Sequence, residues 1–134
     1  MREILFRGKR IDNGKWVEGY YAAEPYTKNT YNYGYILENE KDLFAKKAWL
    51  VDSRTVGQFT GLTANGKRIF EGDIVVVPLS GKPAKGIVEY FKTDICGFAV
   101  ITQPQYSNYV LHKNYAYEVI GNIYDNPELL EVTE

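Results

Sequence analysis

Apolar and polar residues alternate with a period of two along most of this chain, and turn residues cut the alternation into short pieces. In Glu3–Arg10, Ile4 and Phe6 fall on one face and Leu5, Arg7 and Lys9 on the other. Asp12-Asn13-Gly14 then supplies the positive φ angles of a tight hairpin. Lys15–Ala23 returns as a second strand, with Trp16 and Tyr20 on one face and Val17, Gly19 and Tyr21 on the other. The second half repeats the pattern. Gln58–Thr60 and Arg68–Phe70 flank a second Asn-Gly turn at Asn65-Gly66, and Glu71-Gly72-Asp73 turns the chain again. Ile74–Val77 is an unbroken β-branched run, as a strand buried on both faces should be, and Pro78 stops its ladder. Gly86–Phe91, Phe98–Thr102, Tyr109–His112 and Tyr117–Tyr124 supply four more strands. Asn126-Pro127-Glu128 opens a helical turn, with Asn as cap and Pro at the first helical position; Leu129 and Leu130 dock it.

The middle of the chain breaks the alternation. Glu24–Gly34 carries Pro25, Asn29 and Asn32 among tyrosines and threonines, and reads as a loop with an aromatic surface. Tyr35–Leu37 reads as a short strand. Asn39–Lys47 is the helix candidate of the first half, with Glu40 and Asp42 in its first turn and Lys46 and Lys47 in its last. Trp49–Val51 is extended.

These elements predict a mainly β protein with minor α content. Five short strands between Gly72 and Tyr124 suffice for a strongly bent, SH3-like small barrel, and closure removes the exposed edges of short strands. The N-terminal hairpin and the irregular middle segment pack onto it. A chain of 134 residues fits one domain. Within it, residues 1–51 hold the hairpin and variable segment, and residues 52–134 hold the barrel and the final helical turn.

Composition sharpens the picture in three places. Twelve tyrosines and six phenylalanines favour strands and contact surfaces. The net charge of −1 removes any global pull toward nucleic acid. The charge is nonetheless split: Arg2, Arg7, Lys9, Arg10 and Lys15 crowd the start, whereas no Lys or Arg follows Lys113. The two ends read as independently solvated faces. Cys96 is the only cysteine, so no intrachain disulfide forms. Its apolar neighbours make it a buried structural thiol. No apolar run is long enough for a membrane span, and Met1-Arg-Glu lacks the apolar core of a signal peptide. The expected location is the cytoplasm.

Two separated segments carry a resemblance. Asp52-Ser53 leads into Thr55-Val56-Gly57-Gln58 and Thr60-Gly61-Leu62, then Asn65-Gly66-Lys67 and Ile69-Phe70-Glu71-Gly72-Asp73-Ile74-Val75. Val119-Ile120-Gly121-Asn122-Ile123-Tyr124 with Asn126-Pro127-Glu128-Leu129-Leu130 closes the chain. Together with the opening REILFRGKR, these resemble the YopX family of bacteriophage and prophage proteins. The resemblance covers most of the chain, leaving out Glu24–Ala48. It implies a phage or prophage origin, a mainly β fold and an oligomeric protein, and it carries over no catalytic residues.

The chemistry readable from residue types is thin. One histidine and one cysteine do not make a structural zinc site, and no metal or cofactor is expected. Glu71 and Asp73 flank Gly72, and the reading for Asp73 is a carboxylate that accepts backbone N–H bonds to fix the turn. Ser53, Ser80 and Ser107 sit in turns, none within a nucleophile elbow, and His112 reads as a surface histidine at a strand end. Gly81-Lys82-Pro83-Ala84-Lys85-Gly86 lacks the Walker spacing and joins two strands. Arg54 and Gln58 read as turn and sheet hydrogen-bonding residues; with Glu71 and Asp73 they are the candidates for a polar cleft.

Two functional classes lead, ahead of an enzyme of unknown type that would use Glu71, Asp73 and Arg54. The first is a non-enzymatic, self-associating module that binds a host or phage protein, with Tyr26, Tyr31, Tyr33 and Tyr35 as contact residues. The alternative is a nucleic-acid-binding accessory of phage replication or gene control, in which tyrosines stack bases and Lys28, Lys82, Lys85 and Lys92 meet phosphates. The slightly acidic balance and the lack of a continuous basic run favour the first.

Overall fold

The computed structural model describes residues 4–23, 33–37, 48–78, 83–91, 97–103, 108–112 and 116–130. It is mainly β, as the alternation predicts. Among the described residues, ten strands are followed by one 3₁₀ turn, Pro127–Leu130. Contacts divide the chain into Met1–Phe59 and Thr60–Glu134. The expected helix at Asn39–Lys47, the loop tyrosines Tyr26 and Tyr31, Lys28, Lys82, Lys92 and Cys96 lie outside the described residues. No helix among the described residues is long and apolar enough to cross a membrane.

In the first unit, β1 (Phe6–Arg10), β2 (Trp16–Ala23), β3 (Tyr33–Leu37) and the start of β4 (Ala48–Ala64) form an antiparallel ring of pairings. β1 pairs with β2, β2 with β3, β3 with β4, and β4 returns to β1. The hairpin turn forms where Asn-Gly places it: Gly14 has φ +71° and its amide donates to the Arg10 carbonyl at 3.0 Å. The small circumference leaves little room inside. Ile36 and Val51 are fully buried, and glycine stands where a neighbouring strand's side chain needs the space. A Cβ at Gly8 would lie 2.9 Å from Val51 Cγ2, and one at Gly34 would lie 2.7 Å from the Tyr21 ring. The hairpin expected at residues 3–23 is therefore part of a larger ring. Tyr33 and Gly34, expected in the loop, open β3 instead, because Gly34 accepts the Tyr21 ring inside the ring.

β4 is one strand of 17 residues, where the sequence suggested separate extended pieces at Trp49–Val51 and Gln58–Thr60. A bulge reconciles the two. Lys9 pairs with Asp52 while Arg7 pairs with Gly57, so five residue steps of β4 oppose two of β1. Such an offset bends the strand and turns it from one partner to the next. β4 pairs with β3 through Ala48–Asp52 and with β1 on both sides of the bulge.

In the second unit, the end of β4 forms a hairpin with β5 (Lys67–Phe70) through Asn65 and Gly66, whose φ angles of 51° and 81° match the Asn-Gly turn expected there. A second antiparallel sheet has the order β10-β6-β7-β8-β9. Its strands are β6 (Asp73–Val77), β7 (Ala84–Phe91), β8 (Gly97–Gln103), β9 (Asn108–Val110) and β10 (Glu118–Asn122). Ala64, Ile69, Val75, Val77, Val88, Val100 and Tyr117 make its buried cluster. Within β6, Ile74, Val75 and Val77 are buried, which is the two-faced burial that the β-branched run predicts. The Asn126 side chain does not cap the final turn in the expected way. Its Oδ1 accepts from the Asn122 amide at 3.3 Å, and its backbone carbonyl accepts from Leu129.

Candidate functional site

β3 carries two of the four tyrosines proposed as contacts. Tyr33 and Tyr35 are two residues apart and so share a face. Their rings meet nearly edge to face, 6.4 Å between centroids at 85°, an arrangement that the ring quadrupoles favour. Register fixes their neighbours. Ala22, Tyr35 and Leu50 lie side by side across β2, β3 and β4. Trp16, Lys9, Asp52 and Tyr33 form the next row across β2, β1, β4 and β3. Val51 and Ile36 point to the inside of the ring, so these rows face out. Leu50 is 40% exposed, and Ile11, whose amide donates to the Leu50 carbonyl at 3.1 Å, is 52% exposed. The outer face of β3 and β4 thus combines two half-buried tyrosines with two exposed aliphatic side chains. The sequence points to the tyrosines but not to Leu50 and Ile11, because strand alternation alone does not say which face closes inward.

Two cations of β1 are engaged locally. The Arg7 guanidinium lies 4.8 Å from the centroid of the Trp16 ring, within cation–π range. Arg10 and Asp12 pair at 2.6 Å across the hairpin turn. The Arg10 guanidinium holds the Asp12 carboxyl below the usual carboxylate range.

The candidate polar residues divide between the two units, and two of them, Arg54 and Asp73, make structural hydrogen bonds. Arg54 Nη2 and Nε donate to the two oxygens of the Asp52 carboxylate at 2.8 and 3.0 Å, and the Arg54 amide donates to Oδ1 at 3.0 Å. The side-chain hydrogen bond from Arg54 outweighs the opposing effect of burial and, with the Arg54 amide and charge, holds the Asp52 carboxyl below its ordinary range; Asp52 in turn raises the Arg54 guanidinium. Next in sequence, the Thr55 hydroxyl donates to the Asp52 carbonyl at 2.6 Å and accepts from the Lys9 amide at 2.9 Å. Asp52-Ser53-Arg54-Thr55 is therefore the bulge of β4. Gln58 follows it, half-buried and opposite Phe6.

In the second unit, Asp73 is 1% exposed and its Oδ2 accepts from the Phe70 amide at 2.8 Å. This is the turn-fixing role expected for Asp73. Gly72 has φ +88°, and a Cβ there would lie 3.1 Å from the Tyr124 ring. Its amide donates to Val88 and its carbonyl accepts from Ile123, so the turn is fastened to β7 and to the end of β10. Glu71 is half-buried beside it. Lys85, a phosphate contact in the nucleic-acid alternative, donates to the Leu129 carbonyl at 2.6 Å at the end of the 3₁₀ turn. His112 is exposed, and its amide donates to the Tyr117 hydroxyl at 2.9 Å. Among the described residues, no group of three or more His, Cys, Asp or Glu side chains is placed to hold a metal ion.

Comparison with known proteins gives one finding. A family model described as YopX protein matches residues 5–131. No curated protein matches the chain.

Proposed function

The chain belongs to the YopX family, and from that premise we propose that it is a phage or prophage protein that works by self-association and protein binding in the cytoplasm of a bacterial host. The observation that carries this reading is the outward row of Ala22, Tyr35 and Leu50, with Tyr33 against Tyr35 and Ile11 beside Leu50. Tyrosine and aliphatic side chains standing together on an outer sheet surface have the composition of an interface core. Tyrosine has only two χ angles, so it offers a large contact area with little side-chain entropy lost. The polar candidates support a binding role over a catalytic one. Arg54 is committed to the β4 bulge and Asp73 to the turn before β6. The order of the second sheet, with its last strand beside its first, supports the SH3-like reading of that unit.

The nucleic-acid alternative draws on Lys9, Arg7, Trp16 and Tyr33, which share the outer face. Two observations weigh against it. Arg7 already covers a face of Trp16, and Tyr33 and Tyr35 meet edge to face instead of offering parallel platforms for successive bases. Sedimentation of the wild type against a double Tyr33→Ala, Tyr35→Ala variant tests the proposal. The wild type should sediment as an oligomer and the variant as a smaller species. Equal sedimentation of the two removes these tyrosines from the contact.

A further inference from the structure

Among the described residues, the β9 edge of the second sheet adjoins an apolar groove of about 490 Å³. Thr60 and Leu62 from the end of β4 line one side, Phe98 forms part of the wall, and Val110, Leu111 and His112 line the β9 side. Among the described residues, β9 ends the sheet order, paired only with β8. Its hydrogen-bond phase is fixed. The Leu111 amide donates to the Phe98 carbonyl at 3.0 Å, while Val110 stands opposite Ala99. In an antiparallel ladder that makes Val110 and Ala99 a non-hydrogen-bonded pair, so the N–H and C=O of Val110 point away from β8 toward the open side. The Val110 side chain is 53% exposed. Exposed edges are usually blunted by charge, proline or cover. Here the edge residue is an exposed valine, and the groove beside it is apolar.

We propose that this edge and groove take up a short, uncharged, extended peptide segment that adds a strand beside β9. The outward N–H and C=O of one residue match the paired acceptor and donor of an extended backbone. Leu62, Phe98 and Leu111 then receive alternate apolar side chains. The charge pattern selects against a charged segment, since His112 is the one titratable side chain in the lining. The size selects against a second folded copy. Three edge residues span about 10 Å, whereas a stable protein interface buries about 800 Å² on each partner. This surface lies in Thr60–Glu134, and its occupancy does not depend on the tyrosine face of the first unit.

The test is selection from a displayed random hexapeptide library on the full chain, followed by fluorescence polarisation with the enriched peptides. Uncharged sequences with apolar residues at alternate positions should be enriched. Val110→Pro deletes the outward N–H but leaves the Leu111 bond to Phe98, and should weaken binding about tenfold, the equivalent of one lost hydrogen bond. Should Val110→Pro lose its β circular dichroism, Val110→Lys provides the same reading with the backbone intact, by placing a charge on the edge. Leu50→Arg, in the other unit, should bind the peptides as the wild type does. No enrichment, enrichment of charged sequences, or undiminished binding by the Val110 variants would overturn the proposal.

Discussion

The hydroxyl of Thr55 accepts a hydrogen bond from the amide of Lys9, 46 residues earlier in the chain, at 2.9 Å, and donates one to the Asp52 carbonyl at 2.6 Å. One side chain thereby satisfies two backbone groups that the β4 bulge removes from the ladder. Thr55 is 7% exposed, so water does not readily replace it. Thr55→Val keeps the shape and deletes both bonds. It should cost about 1–3 kcal/mol in urea unfolding, the penalty for polar groups left without partners. Thr55→Ser should recover most of the loss. A neutral Thr55→Val would mean that the bulge is held by packing alone.

Asp73 makes the parallel case in the second unit. Asp73→Ala leaves the Phe70 amide without its carboxylate acceptor in a buried turn, and should destabilise by about 1–3 kcal/mol. Asp73→Asn retains an oxygen acceptor and should cost less. Neither change should alter the oligomer mass under conditions where the variant remains folded. A mass change at full folding would give Asp73 a role in contact that its burial argues against.

Asp52 predicts the pH behaviour of the first unit. Its carboxyl is held below its ordinary range in the folded chain, chiefly by the hydrogen bond from Arg54. A depressed carboxylate stabilises the fold at pH values above its unfolded pKa, and the contribution is lost as pH falls through the folded value. The stability difference between the wild type and Arg54→Gln should thus be constant from neutral pH to about pH 5 and shrink below about pH 4, near the ordinary carboxylate range. The difference is expected to be small, because Arg54 is largely exposed and an exposed pair is screened by salt. A difference that grows as the solution is acidified would contradict the assignment.

Binding of a mixed-sequence single-stranded oligonucleotide separates the two functional classes. Fluorescence anisotropy at low salt should stay flat across the oligonucleotide titration. A rise that falls away steeply as salt is added would move the tyrosine face to nucleic acid, since phosphate contacts release counterions.

Much of the local structure was legible because it is encoded locally. Asn13-Gly14 and Asn65-Gly66 form the turns that their φ preferences require, and the β-branched run of β6 is buried on both faces. The ring was not legible. Its closure depends on Lys9 meeting Asp52 and Phe6 meeting Gln58 across more than forty residues, and no periodicity reports such a pairing. The polar stretch Asp52–Thr55 carried a signal, since it interrupts an apolar strand, but it reads equally well as a loop. Residue type makes Arg54 and Asp73 candidates for a cleft, and only the folded chain shows that Arg54 bonds Asp52 and that Asp73 accepts from the Phe70 amide. Tyr35 was named from its tyrosine-rich surroundings, and only the register across β2, β3 and β4 sets it beside Leu50.

The most direct test of the central claim is light scattering coupled to size exclusion on the wild type and on Leu50→Arg, over a range of protein and salt concentrations. Leu50 is exposed beside Tyr35, so the substitution places a charge in the proposed contact without disturbing the inside of the ring. The account predicts a wild-type mass that is a multiple of 15.4 kDa and persists at high salt, with Leu50→Arg shifted toward the monomer. A wild type that remains at the monomer mass at high protein concentration would contradict self-association itself. An oligomer that Leu50→Arg leaves intact would contradict its placement on this face.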